Sequence, residues 1–314
     1  MPRPTPSAST LYRHALQARR VRCGTLQTRA VSSQVKPIEL HFDKVVPPDG
    51  NETQNPLVIL HGLFGTKRNW GSLSKAFVKE INRPVYALDL RNHGTSPHAE
   101  PHTYSAMATD VLNFCRTHRL TNISLLGHSM GGKVAMTVAL DPETPSDLLS
   151  HLIVADIAPA RGALSNEFQA YIRGMKQVEA SQVNTRREAD QILKDVEQDT
   201  MTRAFLLMNL EHPTAHHPHP LKFRIPVDLL GKSIPELGSF PYLPGERTWE
   251  GPTLFIKGEK SKYINKHNID IAKAFFPNMV LEKLDASHWG VNPADYLHRP
   301  NEFKALVTNF IKSH

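Results

Sequence analysis

Apolar residues along the chain follow two rhythms. Short unbroken runs alternate with longer stretches whose apolar positions recur at three- and four-residue steps. Residues 38–46 alternate loosely and end at Pro47-Pro48-Asp49-Gly50, a strong turn signal. Pro56 then leads into Leu57-Val58-Ile59-Leu60, a run suited to a strand buried on both faces. Trp70, Leu73, Phe77 and Ile81 share one stripe, which predicts a helix over 69–81. A second buried strand is expected over 85–90, behind Pro84. Met107, Val111, Leu112 and Phe114 turn inward from a helix over 103–118. A third strand over 123–126 runs at once into Gly127-His128-Ser129-Met130-Gly131 and a helix to residue 140. Residues 152–155 read as a fourth strand.

Strands of this kind, alternating with helices of about a dozen residues, call for a parallel sheet covered on both faces. The alternation stops near 161. From there to about 210 the pattern is helical only, with Phe168, Tyr171, Ile172, Met175 and Val178 on one stripe. A His- and Pro-rich loop occupies 212–220, followed by short irregular pieces to 247. Strands resume over 253–256 and 279–284, and a last helix is expected over 301–311. The expected class is α/β: a mostly parallel sheet with helices on both faces. The helical stretch at about 161–247 reads as a lid inserted over the sheet's carboxyl edge. No apolar run approaches the ~20 residues of a bilayer span, so no membrane span is expected.

The junction at 127–131 carries the strongest chemical signal. A Gly-x-Ser-x-Gly run between strand and helix is the setting of a nucleophile elbow. Glycines two residues before and after the serine relieve a crowded turn. The Ser129 hydroxyl then projects at a helix N-terminus, where backbone N–H groups favour a developing anion. A neutral alcohol needs a base, and the order in such folds is serine, acid, histidine. Seventeen histidines offer too many choices by count. His288 is selected by position, in a small-residue loop after the last strand. The acid has two candidates. Asp156 ends the fourth strand, and Glu259 follows the strand at 253–256, where the usual Asp is missing. Asp156 fits better, because a carboxylate behind four apolar residues needs a buried partner such as an imidazole N–H. His61-Gly62-Leu63-Phe64-Gly65 follows the first buried strand. The backbone N–H groups of Leu63 and Met130 would form an oxyanion hole.

Charge changes the picture at one end only. The 314 residues carry a formal net charge of +7. Arg3, Arg13, Arg19, Arg20, Arg22, Arg29 and Lys36 all precede the first acid, Glu39, and account for the excess. What remains holds 30 residues of each sign, so no basic surface is left for nucleic acid. An Arg-rich, Ser-rich, acid-free leader describes a mitochondrial transit peptide over 1–34. The domain proper is then 35–314, located in mitochondria, in the matrix. Cys23 and Cys115 make neither a disulfide framework nor a zinc site. His212, His216, His217 and His219 sit among prolines without an acidic or cysteine partner set and read as a solvated loop. No metal and no cofactor are expected.

Leu126-Gly127-His128-Ser129-Met130-Gly131-Gly132-Lys133, together with Asp89-Leu90-Arg91-Asn92-His93-Gly94-Thr95-Ser96 and Asp156-Ile157-Ala158-Pro159, resembles the α/β-hydrolase superfamily over residues 38–313. The match is to the subgroup of bacterial short-acyl esterases, mitochondrial α/β-hydrolase-domain proteins and the yeast ethanol acetyltransferase family. The resemblance implies a triad acid at Asp156, a short acyl group and, in some members, an alcohol acceptor. The His/Pro loop is not a feature of that pattern.

Two classes of function follow. One is a serine hydrolase or acyltransferase acting on a short-acyl ester or thioester, with water or an alcohol as acceptor. The other is a non-catalytic mitochondrial interaction protein on a hydrolase scaffold. The complete Ser, His and acid set argues for the first.

Overall fold

The computed structural model describes residues 35–211, 220–288 and 300–314. The basic leader and the four histidines of the His/Pro loop lie outside the described residues. Among the described residues seven strands form one sheet. They are β1 (Phe42–Val45), β2 (Leu57–Leu60), β3 (Val85–Leu88), β4 (Ile123–His128), β5 (Leu149–Ala155), β6 (Thr253–Gly258) and β7 (Met279–Leu284). Their order across the sheet is β1-β3-β2-β4-β5-β6-β7. β1 pairs antiparallel with β3, and every other pair is parallel.

The central strands β2 and β3 are fully buried because each side of the sheet is roofed there, whereas the edge strands β1 and β7 carry exposed charges. In β2, Val58 and Leu60 enter one core while Leu57 and Ile59 enter the other, as the two-residue period of a strand requires. α2 (Tyr104–Thr117) and α3 (Met130–Leu140) cover the first side. α1 (Gly71–Ile81) and α9 (Pro300–Ser313) cover the second, with Trp70, Phe77, Phe303 and Val307 between them and the strands. α1 is preceded by a 3₁₀ turn, Lys67–Trp70, so it starts two residues later than its stripe suggests.

Between β5 and β6 the chain runs through α4 (Asn166–Ala180), α5 (Arg186–Leu193), α6 (Thr200–Leu206) and α7 (Val227–Leu237). Two begins are chemically marked. Thr185 accepts from the Glu188 N–H in a capping box, and Asp199 accepts from the Thr202 N–H. Two helices correct the sequence reading. α7 falls where irregular pieces are expected, and α8 (Ile269–Phe275) falls where no element is expected. Val227, Leu230, Ile234 and Leu237 of α7 are buried at helical spacing. Pro226 and Pro235 mask that stripe. Pro226 stands at the N-cap, where no N–H is needed, and Pro235 lies in the last turn, where one bond is lost rather than the helix. α8 has seven residues, too few for a periodic signal.

Candidate active site

Every residue of interest lies at the carboxyl ends of the strands. β2 and β4 are parallel neighbours, and chain order reverses between them. Their adjacent carboxyl ends open a crevice, the usual ligand position in an open α/β sheet. β2 delivers His61 to Gly65 there, β4 delivers Ser129, β5 delivers Asp156, and the loop after β7 delivers His288.

Ser129 turns strand into helix in one residue. Its backbone has φ 52° and ψ −117°, on the unfavourable side for a side chain. The turn is held by Ser129 N–H donating to Ala155 O at 3.0 Å and by Lys133 N–H donating to Ser129 O at 3.1 Å. Glycine is obligatory on both flanks. A Cβ on Gly127 would stand 2.2 Å from Gly131 O, and one on Gly131 2.5 Å from His61 O. The turn at Ser129, the loop after β2 and the first turn of α3 are therefore in backbone contact.

Ser129 Oγ lies 3.0 Å from His288 Nε2. His288 Nδ1 lies 2.8 Å from Asp156 Oδ2. A carboxylate only accepts, so Nδ1 carries the proton and Nε2 offers its lone pair to the serine hydroxyl. Asp156 is fully buried, and its second oxygen accepts the Gly258 N–H at 3.0 Å. Burial pushes its carboxyl up, but the His288 hydrogen bond and charge, Ser261 and Gly258 outweigh it, and the net shift is downward. Glu259 is exposed at the start of the β6–α8 connection, and its N–H donates to Leu284 O. The lysines around it go elsewhere: Lys257 to the Gly258 and Ser261 carbonyls, Lys260 to Asp285. Such a line can pass the serine proton to the imidazole while the acid holds its tautomer.

Leu63 and Met130, the residues after Gly62 and Ser129, are both buried. Gly62 is so close that a Cβ on it would reach Ser129 Cβ at 3.3 Å. Met130 opens α3, where a first-turn N–H has no intrahelical partner. Arg91 is a structural residue. It is fully buried and bidentate on Asp110, at 2.6 and 2.7 Å.

Two residues near the site make contacts that the sequence motifs do not supply. Tyr263 lays its ring on His288, with centroids 4.0 Å apart. His128 Nε2–H donates to the His288 carbonyl at 3.2 Å, holding the loop that carries the imidazole. His128 is visible in the sequence as an elbow residue, but its partner lies 160 positions away and only the fold supplies it. A cavity of about 610 Å³ adjoins His288, lined by Lys133, Ile157, Arg161, Glu167 and Tyr263 among others.

A Gly-x-Ser-x-Gly turn at the switch point of such a sheet has close counterparts. Residues 55–291 match the family model described as alpha/beta hydrolase fold. The chain belongs to the α/β-hydrolase fold family. This α/β hydrolase is 37% identical to an abhydrolase domain-containing protein of Schizosaccharomyces pombe, over 89% of its own length and 99% of that protein. It is 34% identical to the sn-1-specific diacylglycerol lipase ABHD11 of Danio rerio, over 88% and 83% of the two chains. It is 32% identical to a probable alcohol acetyltransferase of Saccharomyces cerevisiae, over 98% and 92%. A solved marine microorganism esterase aligns with TM-score 0.76 at 33% identity, covering 87% of this α/β hydrolase and 99% of that chain. The protein is an enzyme of this family.

Proposed function

We propose that the enzyme transfers a short acyl group from an ester or thioester to water or to an alcohol, through a covalent intermediate on Ser129. The observation that carries this reading is the unbroken line Ser129 Oγ, His288, Asp156, at 3.0 and 2.8 Å. His288 takes the Ser129 proton as Oγ attacks the acyl carbonyl. The Leu63 and Met130 N–H groups receive the oxyanion. Collapse expels the leaving group, which takes the proton from His288. Water or an alcohol then enters by the reverse sequence, giving an acid or a new ester. Hydrolysis and alcohol acylation share the first half-reaction, consistent with relatives named esterase, lipase and alcohol acetyltransferase. In this reading the stretch at 161–247 serves as a lid that limits water, and residues 1–34 direct the chain to the mitochondrial matrix.

Fluorophosphonate labelling tests the nucleophile. The label should map to Ser129 and vanish in Ser129→Ala, and a label on another serine would overturn the assignment. Product analysis with acetyl, butyryl and octanoyl esters, in water and in aqueous ethanol, tests acyl length and acceptor. Preference for octanoyl would rule out a short-acyl enzyme.

A further inference from the structure

Two histidines buried beside Ser129 are unused in that mechanism. His61 is 1% exposed and His93 is 0% exposed, with rings 5.0 Å apart. Each is tied to backbone at both nitrogens. The Leu90 N–H donates to His61 Nε2 at 3.0 Å, so His61 carries its proton on Nδ1, which donates to Gly62 O at 2.8 Å. The Phe64 N–H donates to His93 Nε2 at 3.2 Å, and His93 Nδ1–H donates to Arg91 O at 3.0 Å. The histidine of each loop thus holds the backbone of the other loop.

We infer that His61 and His93 are positioning residues that aim the Leu63 N–H into the oxyanion hole, an inference that rests on acyl transfer at Ser129. A trans peptide points its C=O and its N–H in opposite directions. The carbonyl of the Gly62–Leu63 peptide is gripped from one side by His61 Nδ1–H and by the Gly65 N–H at 2.9 Å. Its N–H must therefore point away from both donors. The next peptide is fixed too, because its N–H, that of Phe64, is held by His93 while Phe64 sits at φ 64°. Both peptide planes flanking Leu63 are thus set from behind, and Gly62 abuts Ser129. Donation into the Gly62 carbonyl also polarises that peptide and strengthens its N–H as a donor. The hole is preorganised before substrate arrives, which is the condition for electrostatic catalysis.

Both rings must stay neutral, since a proton on Nε2 would face another N–H donor. Burial holds each below the ordinary histidine range. Around His61 stand Asp89, Lys67, His93 and His128; around His93 stand His61, His102, His98 and Arg91. Asp89 raises His61, while Lys67 opposes it and burial outweighs both.

The test is p-nitrophenyl acetate hydrolysis by wild type, His61→Ala, His61→Asn, His93→Ala, His93→Gln and Ser129→Ala, with folding checked by circular dichroism and Tm. Asn keeps a donor near Nδ1, and Gln keeps an acceptor near Nε2. The alanine variants should lose about 10²-fold in kcat, with KM changed by less than about threefold. The Asn and Gln variants should recover part of that loss. Affinity for an alkyl boronic acid, which puts a tetrahedral oxyanion in the hole, should fall in step with kcat. Unchanged kcat in folded alanine variants, losses confined to KM, or an unmoved boronate affinity would each overturn the inference. Should the alanine variants not fold, the boronate affinity of His61→Asn and His93→Gln decides by the same rule. Ser129→Ala separates the two levels. If it keeps wild-type kcat, acyl transfer at Ser129 is wrong. If it is inactive while the histidine variants match wild type, only the positioning role is wrong.

Discussion

At the scale of single residues the site depends on two strained backbones. Ser129 and Asp156 both hold positive φ, 52° and 53°, at the ends of the adjacent strands β4 and β5. Conformations of this kind persist only where the surroundings enforce them. Here the enforcement is backbone hydrogen bonding, Ser129 N–H to Ala155 O and Asp156 N–H to Ile256 O. Asp156→Asn keeps the shape but can donate to His288, which favours the wrong tautomer. It should lower kcat by about 10⁴. Glu259→Gln should leave kcat within about twofold, because an exposed carboxylate with no contact to the imidazole contributes little. Steady-state kinetics of the two variants checks this, and the opposite pattern of losses would assign the acid to Glu259.

At the scale of elements, one lysine joins three pieces. Lys133, one turn after Ser129 on α3, donates to Ala160 O at 3.0 Å and to Ser239 O at 2.7 Å. These carbonyls lie just before α4 and just after α7, at the two ends of the inserted helices. The ammonium also stands 5.3 Å above the Tyr104 ring, and Tyr104 O–H donates to Leu237 O. Burial pushes the lysine down to about 8. Lys133→Met keeps the apolar stem but leaves two carbonyls without their donor. It should cost about 1–3 kcal/mol. Urea unfolding checks the loss, and limited proteolysis should cut first within 161–247. A variant as stable and protease-resistant as wild type would show that the lysine does not tie the insertion down.

At the scale of the molecule, buried neutral histidines link stability to pH. Burial lowers His61 and His93, and takes His102 and His128 to about 3 and His151 to about 4. In the unfolded chain each would bind a proton near 6.5. Below that pH the unfolded state holds more protons, so stability falls as pH drops towards the folded values. Each histidine contributes a loss of up to about 1.4 kcal/mol per pH unit in its window. Asp89 and Asp156 are lowered and add to the loss only below the usual carboxylate range, whereas Asp110 is raised and opposes it. Urea midpoints measured from pH 7.5 to 5 should fall steeply, and a flat profile would contradict these buried neutral rings. The proposed targeting role of the basic leader belongs to the same scale. Residues 1–40 fused to a fluorescent protein should reach mitochondria, and cytosolic fluorescence would refute the assignment.

Local rules were enough for much of this. Apolar runs of strand length, stripes of helical period and the Gly-x-Ser-x-Gly junction are properties of neighbouring residues. They determine the sheet, most of its helices and the position of the elbow without reference to distant chain. α7 and α8 escaped because prolines and brevity hide a stripe whose partners come only from packing. The site is the opposite case. The four apolar residues before Asp156 favour it over Glu259, but nothing local ties it to an imidazole 132 residues away. Only the side-by-side order of β4, β5 and β6, with β7 returning beside them, brings Asp156 rather than Glu259 against His288. The same holds for His61, His93, His128 and Tyr263, whose hydrogen bonds and ring contacts join segments far apart in the chain. Sequence determines which residues are able to act. Tertiary structure decides which of them meet, because the directional contacts of a buried polar group are set by strand order and loop closure.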